Sequence, residues 1–273
     1  MLTFYTTPGR EPAEIIGKAF CAGCGGDYVE SRFFREGEAA FYGLSKYTLP
    51  VFRAARDWYY IDNGYFKPGH YDGYYKVTKN AAQHDGAGNH PPDRWEALGL
   101  KIKPWKKTGR NVLVVCQSKT YHELRGRRPG VWLWDTLAEI NRVTDRPIII
   151  RPKPTARTKK RPFEQDLADA WCMVTYSSNT AVEALIEGVP AFVTEGAARS
   201  MSGDLSNIET PYYPEREQWA WNLAANQWTL EEMKSGQCWQ EISGAGAVSG
   251  CPERNNTSQD SSREAGIINA MGS

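Results

Sequence analysis

From Asn111 onward the chain repeats one pattern, in which short apolar runs alternate with segments of helical period. The runs are Asn111-Val-Leu-Val-Val-Cys116, Pro147-Ile-Ile-Ile150, Cys172-Met-Val-Thr-Tyr176 and Pro190-Ala-Phe-Val193. A short run that is apolar throughout is the signature of a strand covered on both faces. Between the runs, Trp132 to Val143, Phe163 to Ala170 and Thr180 to Glu187 carry helical periodicity, and the last of these stops at Gly188. Strands that alternate with helices through short loops specify an α/β fold with a parallel sheet and helices on both faces. The segment Pro214 to Ala225 adds a further helix, and Thr229 with Glu232 has the spacing of a capping box at the start of another.

The first half is less regular. Leu2 to Tyr5 and Trp58 to Ile61 read as strands, Pro12 to Cys21 and Leu49 to Ala55 as helices, and Ala97 to Arg110, with Gly99, Pro104 and Gly109, as a linker. A chain of 273 residues is long enough for two domains of modest size and the cleft between them. The expected boundaries are 1–105 and 111–241, with a Ser-, Gly- and Asn-rich mobile tail over 242–273.

Composition removes several classes. The apolar runs fall far short of the roughly 20 residues that span a bilayer, so no membrane partner is expected. Met1-Leu-Thr-Phe-Tyr5 lacks the basic start and long apolar stretch of a signal peptide, and the six cysteines are scattered, so a cytoplasmic location with reduced thiols is expected. Cys21-Ala-Gly-Cys24 has no second pair at zinc-site distance, and His70, His84, His90 and His122 are isolated, so no metal is expected. Neither a P-loop nor a Gly-x-Gly-x-x-Gly motif is present, which argues against kinases and ordinary dehydrogenases.

Chemistry concentrates after the third apolar run, in Tyr176-Ser-Ser-Asn-Thr-Ala-Val-Glu183. A buried strand ends in small hydroxyl residues and a helix starts at once, so the N–H groups of Asn179, Thr180 and Ala181 should face an anion. Ser177, Ser178 and Thr180 add hydroxyls, and Glu183 is placed to accept from a ribose. The same residues also serve a purely structural reading, with Ser178 or Asn179 as N-cap and Glu183 favourable near the helix dipole.

The order strand, Ser-Ser-x-x-x-x-Glu-Ala, Gly-Val-Pro, strand resembles the C-terminal half of GT-B-type glycosyltransferases, including capsule-polysaccharide transferases, and also the nucleotide-sugar 2-epimerases. The likeness covers about Asn111 to Ala225. It implies two Rossmann-like domains facing a cleft, and a sugar nucleotide such as UDP-glucose as co-substrate with no other cofactor. Where the family often carries His-Pro, this chain has Arg151-Pro-Lys-Pro154, and Arg151 and Lys153 could bind the same diphosphate. The implied donor set is Arg10, Arg151, Lys153, Ser177, Ser178, Asn179, Thr180 and Glu183. The resemblance also places a general base on the N-terminal side, where Asp62 and Glu11 are the two candidates. Asp62 ends an aromatic strand and would be ringed by Tyr60, Tyr65 and Phe66 for stacking on a sugar or base; Asp-Asn-Gly is equally a common turn sequence.

The net charge of +1 hides an uneven distribution. Lys101 to Arg128 holds nine basic residues against Glu123 alone, and Arg151 to Pro162 holds six with no acid, whereas Glu195 to Glu232 holds seven acids and two arginines. A basic stretch of this size can follow a phosphate backbone, with Lys106, Lys107, Arg125, Arg127, Arg128, Lys159 and Lys160 as the contacts; a solvated basic face is the alternative. The stretch Trp58 to Gln83, with Tyr75-Lys-Val-Thr-Lys-Asn80, is similar to phage proteins of the DNA-glycosylating kind. That likeness implies double-stranded DNA as partner and a 5-hydroxymethylpyrimidine, such as 5-hydroxymethylcytosine, as acceptor, in a host cytoplasm if phage-encoded. The other readings are transfer to a polysaccharide and a non-catalytic nucleic-acid-binding protein on a transferase scaffold.

Overall fold

β1 (Leu2–Tyr5) connects through α1 (Glu11–Cys24) to β2 (Asp27–Val29), and β3 (Glu38–Tyr42) lies on the other side of β1. All three run parallel. Pro12 sits in the first turn of α1, where a missing N–H is tolerated, and Gly25 closes the helix in the left-handed region at φ 68°. α2 (Leu49–Ala54) leads into β4 (Trp58–Asn63), parallel to β3, and β5 (Tyr75–Lys79) returns antiparallel to β4. The computed structural model describes residues 1–69, 71–124, 126–128, 130–154 and 161–244.

After α3 (Asp93–Leu98) a second sheet begins with β6 (Asn111–Val115). α4 (Lys119–Leu124) and α5 (Val131–Val143) precede β7 (Ile148–Arg151), α6 (Phe163–Leu167) precedes β8 (Ala170–Thr175), and α7 (Thr180–Ile186) precedes β9 (Ala191–Val193). α8 (Glu217–Ala225) carries the chain back to the first sheet. There β10 (Gln227–Trp228) pairs with β5, and α9 (Leu230–Lys234) and α10 (Gln237–Ile242) pack beside α1. The sheet orders are β10-β5-β4-β3-β1-β2 and β7-β6-β8-β9. Each contains four parallel strands in the same arrangement: the first is internal, the second lies to one side and the next two to the other.

Both sheets are covered on both faces except along β7. Phe4, Ala40, Tyr59 and Ile61 pack toward α1, α9 and α10, and Tyr5, Phe41 and Val51 fill the opposite face. In the second sheet Leu113 and Met173 meet α7 and α8, while Val112, Val114 and Ile140 form the layer under α5. One expectation fails here: the Pro147–Ile150 run is an edge strand, and Ile149 and Ile150 are 38% and 46% exposed. Between α1 and α9 the backbones touch so closely that a Cβ on Gly23 would lie 1.9 Å from the Met233 carbonyl oxygen. Thr229 and Glu232 form the expected capping box, and Glu232 also takes both Nη atoms of Arg94, at 2.7 and 3.1 Å, tying α3 to α9.

The stretch read as a linker is fixed rather than loose. Its start is the end of α3, and the Lys103 and Lys106 N–H groups donate to the Ile186 and Gly188 carbonyls at 2.9 and 2.8 Å. The Gly-Val-Pro motif follows from this strap. Gly188 has φ 84°, and a Cβ there would lie 2.1 Å from the Pro104 carbonyl oxygen, so only glycine fits the turn from α7 to β9. Among the described residues no helix is long and apolar enough to cross a membrane. The tail beyond residue 244 lies outside the described residues.

Candidate functional site

Strand periodicity sorts the side chains of β4. Tyr59 and Ile61 enter the core, so Trp58, Tyr60 and Asp62 face the other way. Lys76 lies directly opposite Asp62 in the β4–β5 register and therefore shares its face. That face opens on a cavity of about 550 Å³ lined by Gly43, Leu44, Tyr60, Asp62, Asn63, Gly64 and Lys76 from the first sheet. The second sheet contributes Gln117 and Ser118 after β6, Lys153 after β7, and Ser177, Ser178, Asn179, Thr180 and Glu183 after β8. The C-terminal ends of β3 and β4 thus meet those of β6, β7 and β8, the position where α/β sheets collect ligands.

The loop after β8 is built differently from the expectation of three free N–H groups. The Ala181 N–H donates to the Ser178 carbonyl at 3.0 Å, and Thr180 donates its N–H and its hydroxyl to Ser178 Oγ at 3.3 and 2.8 Å. Two of the three expected donors, those of Thr180 and Ala181, are thus spent locally at the start of a helix of only seven residues. Beside the hydroxyls of Ser177 and Ser178, the cavity offers an anion the lysines Lys76 and Lys153 from neighbouring segments.

Asn179 caps nothing and instead reaches across to the first half. Its Oδ1 accepts from Lys76 Nζ at 2.9 Å and Gln83 Nε2 at 3.3 Å, and its Nδ2 donates to the Asn63 and Gly64 carbonyls, both at 3.4 Å. Gln83 also donates to the Ser177 carbonyl at 3.1 Å and accepts from the Ala197 N–H at 2.7 Å. Lys76 and Gln83 were not singled out by the sequence. A lysine in a strand ordinarily reads as solvent-facing, and only the second half, folded against β5, turns it inward.

The other candidates sit elsewhere. Arg151 pairs with buried Asp166, donates to the Arg161 carbonyl at 2.8 Å and lies over Phe163, outside the cavity lining. Arg10 donates to the Tyr42 carbonyl at 3.0 Å and stacks on its ring. Glu11 is exposed at the start of α1 and does not line the cavity. Of the expected aromatic ring around Asp62, Tyr65 and Phe66 are buried, at 2% and 5% exposed; Tyr65 Oη accepts from the His84 N–H and Phe66 packs on Trp95. Tyr60 alone of the three reaches the cavity.

Beside it lies an apolar pocket of about 410 Å³ that shares Leu44, Tyr60, Ala82, Gln83, Tyr121 and Ser177 with the first. Phe52 and Trp58 form its far wall, edge to face at 4.9 Å. At its polar end Glu195 accepts from the Tyr121 and Tyr176 hydroxyls at 2.8 and 3.1 Å.

The basic run is partly neutralised in space. Arg110 pairs with Asp169, Lys103 with Glu187, and Arg151 and Arg161 with Asp166. Lys106 donates to the Leu167 and Ala168 carbonyls, and Lys107 lies over the Tyr213 ring. Arg127 stacks on Tyr176 and Arg128 is exposed, while Arg125, Lys159 and Lys160 lie outside the described residues.

No protein-family model matches the chain, and no curated protein sequence does. Solved structures do match. The β-Kdo 2,7 transferase of KpsC from Thermosulfurimonas dismutans is 14% identical, with a TM-score of 0.52 over 88% of this chain and 99% of that one. What is shared is the fold. The β-Kdo 2,4 transferase of KpsC from the same organism repeats the result at 11% identity, with a TM-score of 0.50 over 81% of this chain and 89% of the other. The chain therefore has a glycosyltransferase-like α/β fold spanning nearly the full length of both KpsC structures.

Proposed function

We propose that the protein is a glycosyltransferase of GT-B type, in which two Rossmann-like halves face a cleft and a sugar passes from a sugar nucleotide to a hydroxyl. The observation that carries this reading is the single cavity that brings Asp62 of one sheet to Lys153, Ser177, Ser178, Thr180 and Glu183 of the other, on a fold shared with the KpsC transferases. Asp62 takes the acceptor proton as the acceptor oxygen attacks the anomeric carbon, and the bond from that carbon to the donor phosphate oxygen breaks. The negative charge left on the phosphate is met by Lys153 and the loop hydroxyls.

For the acceptor, the aromatic-walled pocket beside Asp62 favours a flat ring, which supports the 5-hydroxymethylpyrimidine of double-stranded DNA. Such enzymes extrude the target base, and Trp58 and Tyr60 supply faces for it. A polysaccharide acceptor is the second reading, supported by the likeness to transferases named for Kdo. One experiment separates them: incubation with a panel of sugar nucleotides and hydroxymethylated DNA, plain DNA or oligosaccharides, read by mass spectrometry. A mass shift on modified nucleosides supports the first reading and a shift on oligosaccharides the second; no shift on any acceptor sinks the transferase itself.

Glu183 provides a pH test. Glu183 is exposed as a residue, but partial loss of water around its carboxyl in the cavity, with Glu164 adding and Arg151 opposing, raises its pKa above the ordinary carboxylate value. If its carboxylate accepts from the donor ribose, donor affinity falls on acidification, and the fall begins above the usual glutamate range. Glu183→Gln should bind UDP-glucose about tenfold more weakly at neutral pH and lose this acid limb. Calorimetric titrations between pH 5 and 8 check both; an unchanged acid limb in the variant removes Glu183 from the donor site.

A further inference from the structure

We propose that Lys76 is a phosphate-binding residue of the cavity, the first half's own contribution to holding the anionic group of the donor. The inference rests on the transferase reading above and assigns the residue a role in that site.

The geometry carries it. Lys76 is 1% exposed, yet its ammonium lines the cavity. Among the described residues Nζ has one hydrogen-bond acceptor, Asn179 Oδ1 at 2.9 Å. Asp62 Oδ2 stands at 4.0 Å, beyond hydrogen-bond length, and the ring of Tyr65 is 5.1 Å away. An ammonium has three N–H donors, and a buried charge is costly unless they are met. The nearby ammonium of Lys153 lines the same cavity and acts on Lys76 as a like charge. The two lysines repel one another across the cavity, and Asp62, 4.0 Å from Lys76, offsets that charge without occupying its remaining N–H donors. A phosphate oxygen satisfies the spare donors of Lys76, relieves the repulsion from Lys153, and lies beside Ser177 and Ser178. Burial also lowers the pKa of Lys76, with Asp62 opposing and Lys153 adding to the effect.

Lys76 is moreover the cross-strand neighbour of Asp62, so one face of β4–β5 presents the proposed base and a cation for the leaving group together. In the transfer the electron pair of the breaking bond stays on the phosphate oxygen, and Lys76 stabilises it there by charge without giving up a proton.

The test compares the full-length protein with Lys76→Met and Lys76→Arg, using inorganic pyrophosphate and UDP as probes in calorimetric titrations. Lys76→Met should bind both at least about 30-fold more weakly, and Lys76→Arg should recover part of the loss. The melting temperature without ligand should hold or rise in Lys76→Met, because an incompletely satisfied buried charge has been removed. If Lys76→Met does not fold, Lys76→Gln makes the same comparison. Unchanged pyrophosphate affinity in a folded variant, with sugar transfer intact in the natural protein, overturns the role of Lys76 and leaves the transferase reading standing. A natural protein that binds neither probe and transfers no sugar removes both.

Discussion

Asp62→Asn should lower sugar transfer by about 10³-fold while donor affinity stays within about twofold. The substitution preserves shape: Asp62 Oδ1 accepts from the Asn63 N–H at 2.8 Å, and an amide oxygen in its place accepts the same bond. What disappears is the basicity toward an acceptor hydroxyl. Asp62 is the one carboxylate that the first sheet contributes to the cavity lining. The neighbouring Glu183 belongs to the donor side, and Glu11 sits at the exposed start of α1 outside the lining. Glu11→Gln is thus the control expected to retain activity. Initial rates read by nucleoside or oligosaccharide mass spectrometry, paired with calorimetric donor binding, separate the two effects. Transfer by Asp62→Asn above a tenth of the natural rate would remove it as the base; equal loss of donor binding would make it a binding residue instead.

The second sheet was legible because strands buried on both faces must be apolar along their buried length, as β6 is from Val112 to Val115, β8 from Ala170 to Val174 and β9 throughout. β7 is as apolar over Ile148 to Ile150 and still leaves Ile149 and Ile150 exposed, whereas β9 at the opposite edge is buried, since periodicity reports what a strand can bury and not what packs against it. In the first sheet, Glu38-Ala-Ala-Phe-Tyr42 lacks the β-branched residues that mark a strand, and it is central only because β1 and β4 flank it. The loop after β8 announced itself through small hydroxyl residues at a strand end. The task of Asn179 could not be read there, because its partners Lys76, Gln83, Asn63 and Gly64 lie about a hundred residues earlier. Charge was misleading for a similar reason. A run of lysines and arginines looks uncompensated along the chain until folding brings Asp166, Asp169 and Glu187 against it.

Arg216→Ala should cost about 3–4 kcal/mol of stability, a loss that few single surface changes approach. Arg216 is 5% exposed, and its guanidinium lies 3.6 Å from the ring centre of Trp105. One Nη donates to the Leu185 carbonyl in the last turn of α7, and the other to the Lys103 carbonyl of the strap at 2.8 Å. Removing it leaves both carbonyls without that donor and opens a space beside Trp105. Arg216→Lys should recover only part of the loss, since a lysine lacks the planar fork that serves two carbonyls and stacks on an indole. Urea unfolding should show a lower midpoint with an unchanged slope, because the same surface is exposed on unfolding. The effect should also reach the site. α7 carries Thr180 and Glu183 in its first turn and is held by Arg216 at its last, so a loosened C-terminus frees the whole helix to shift against β8. A donor affinity reduced at temperatures where Arg216→Ala remains folded would show that the strap supports the site; a stability change below about 1 kcal/mol would show that Trp105 and the backbone bonds of Lys103 and Lys106 hold the strap without it.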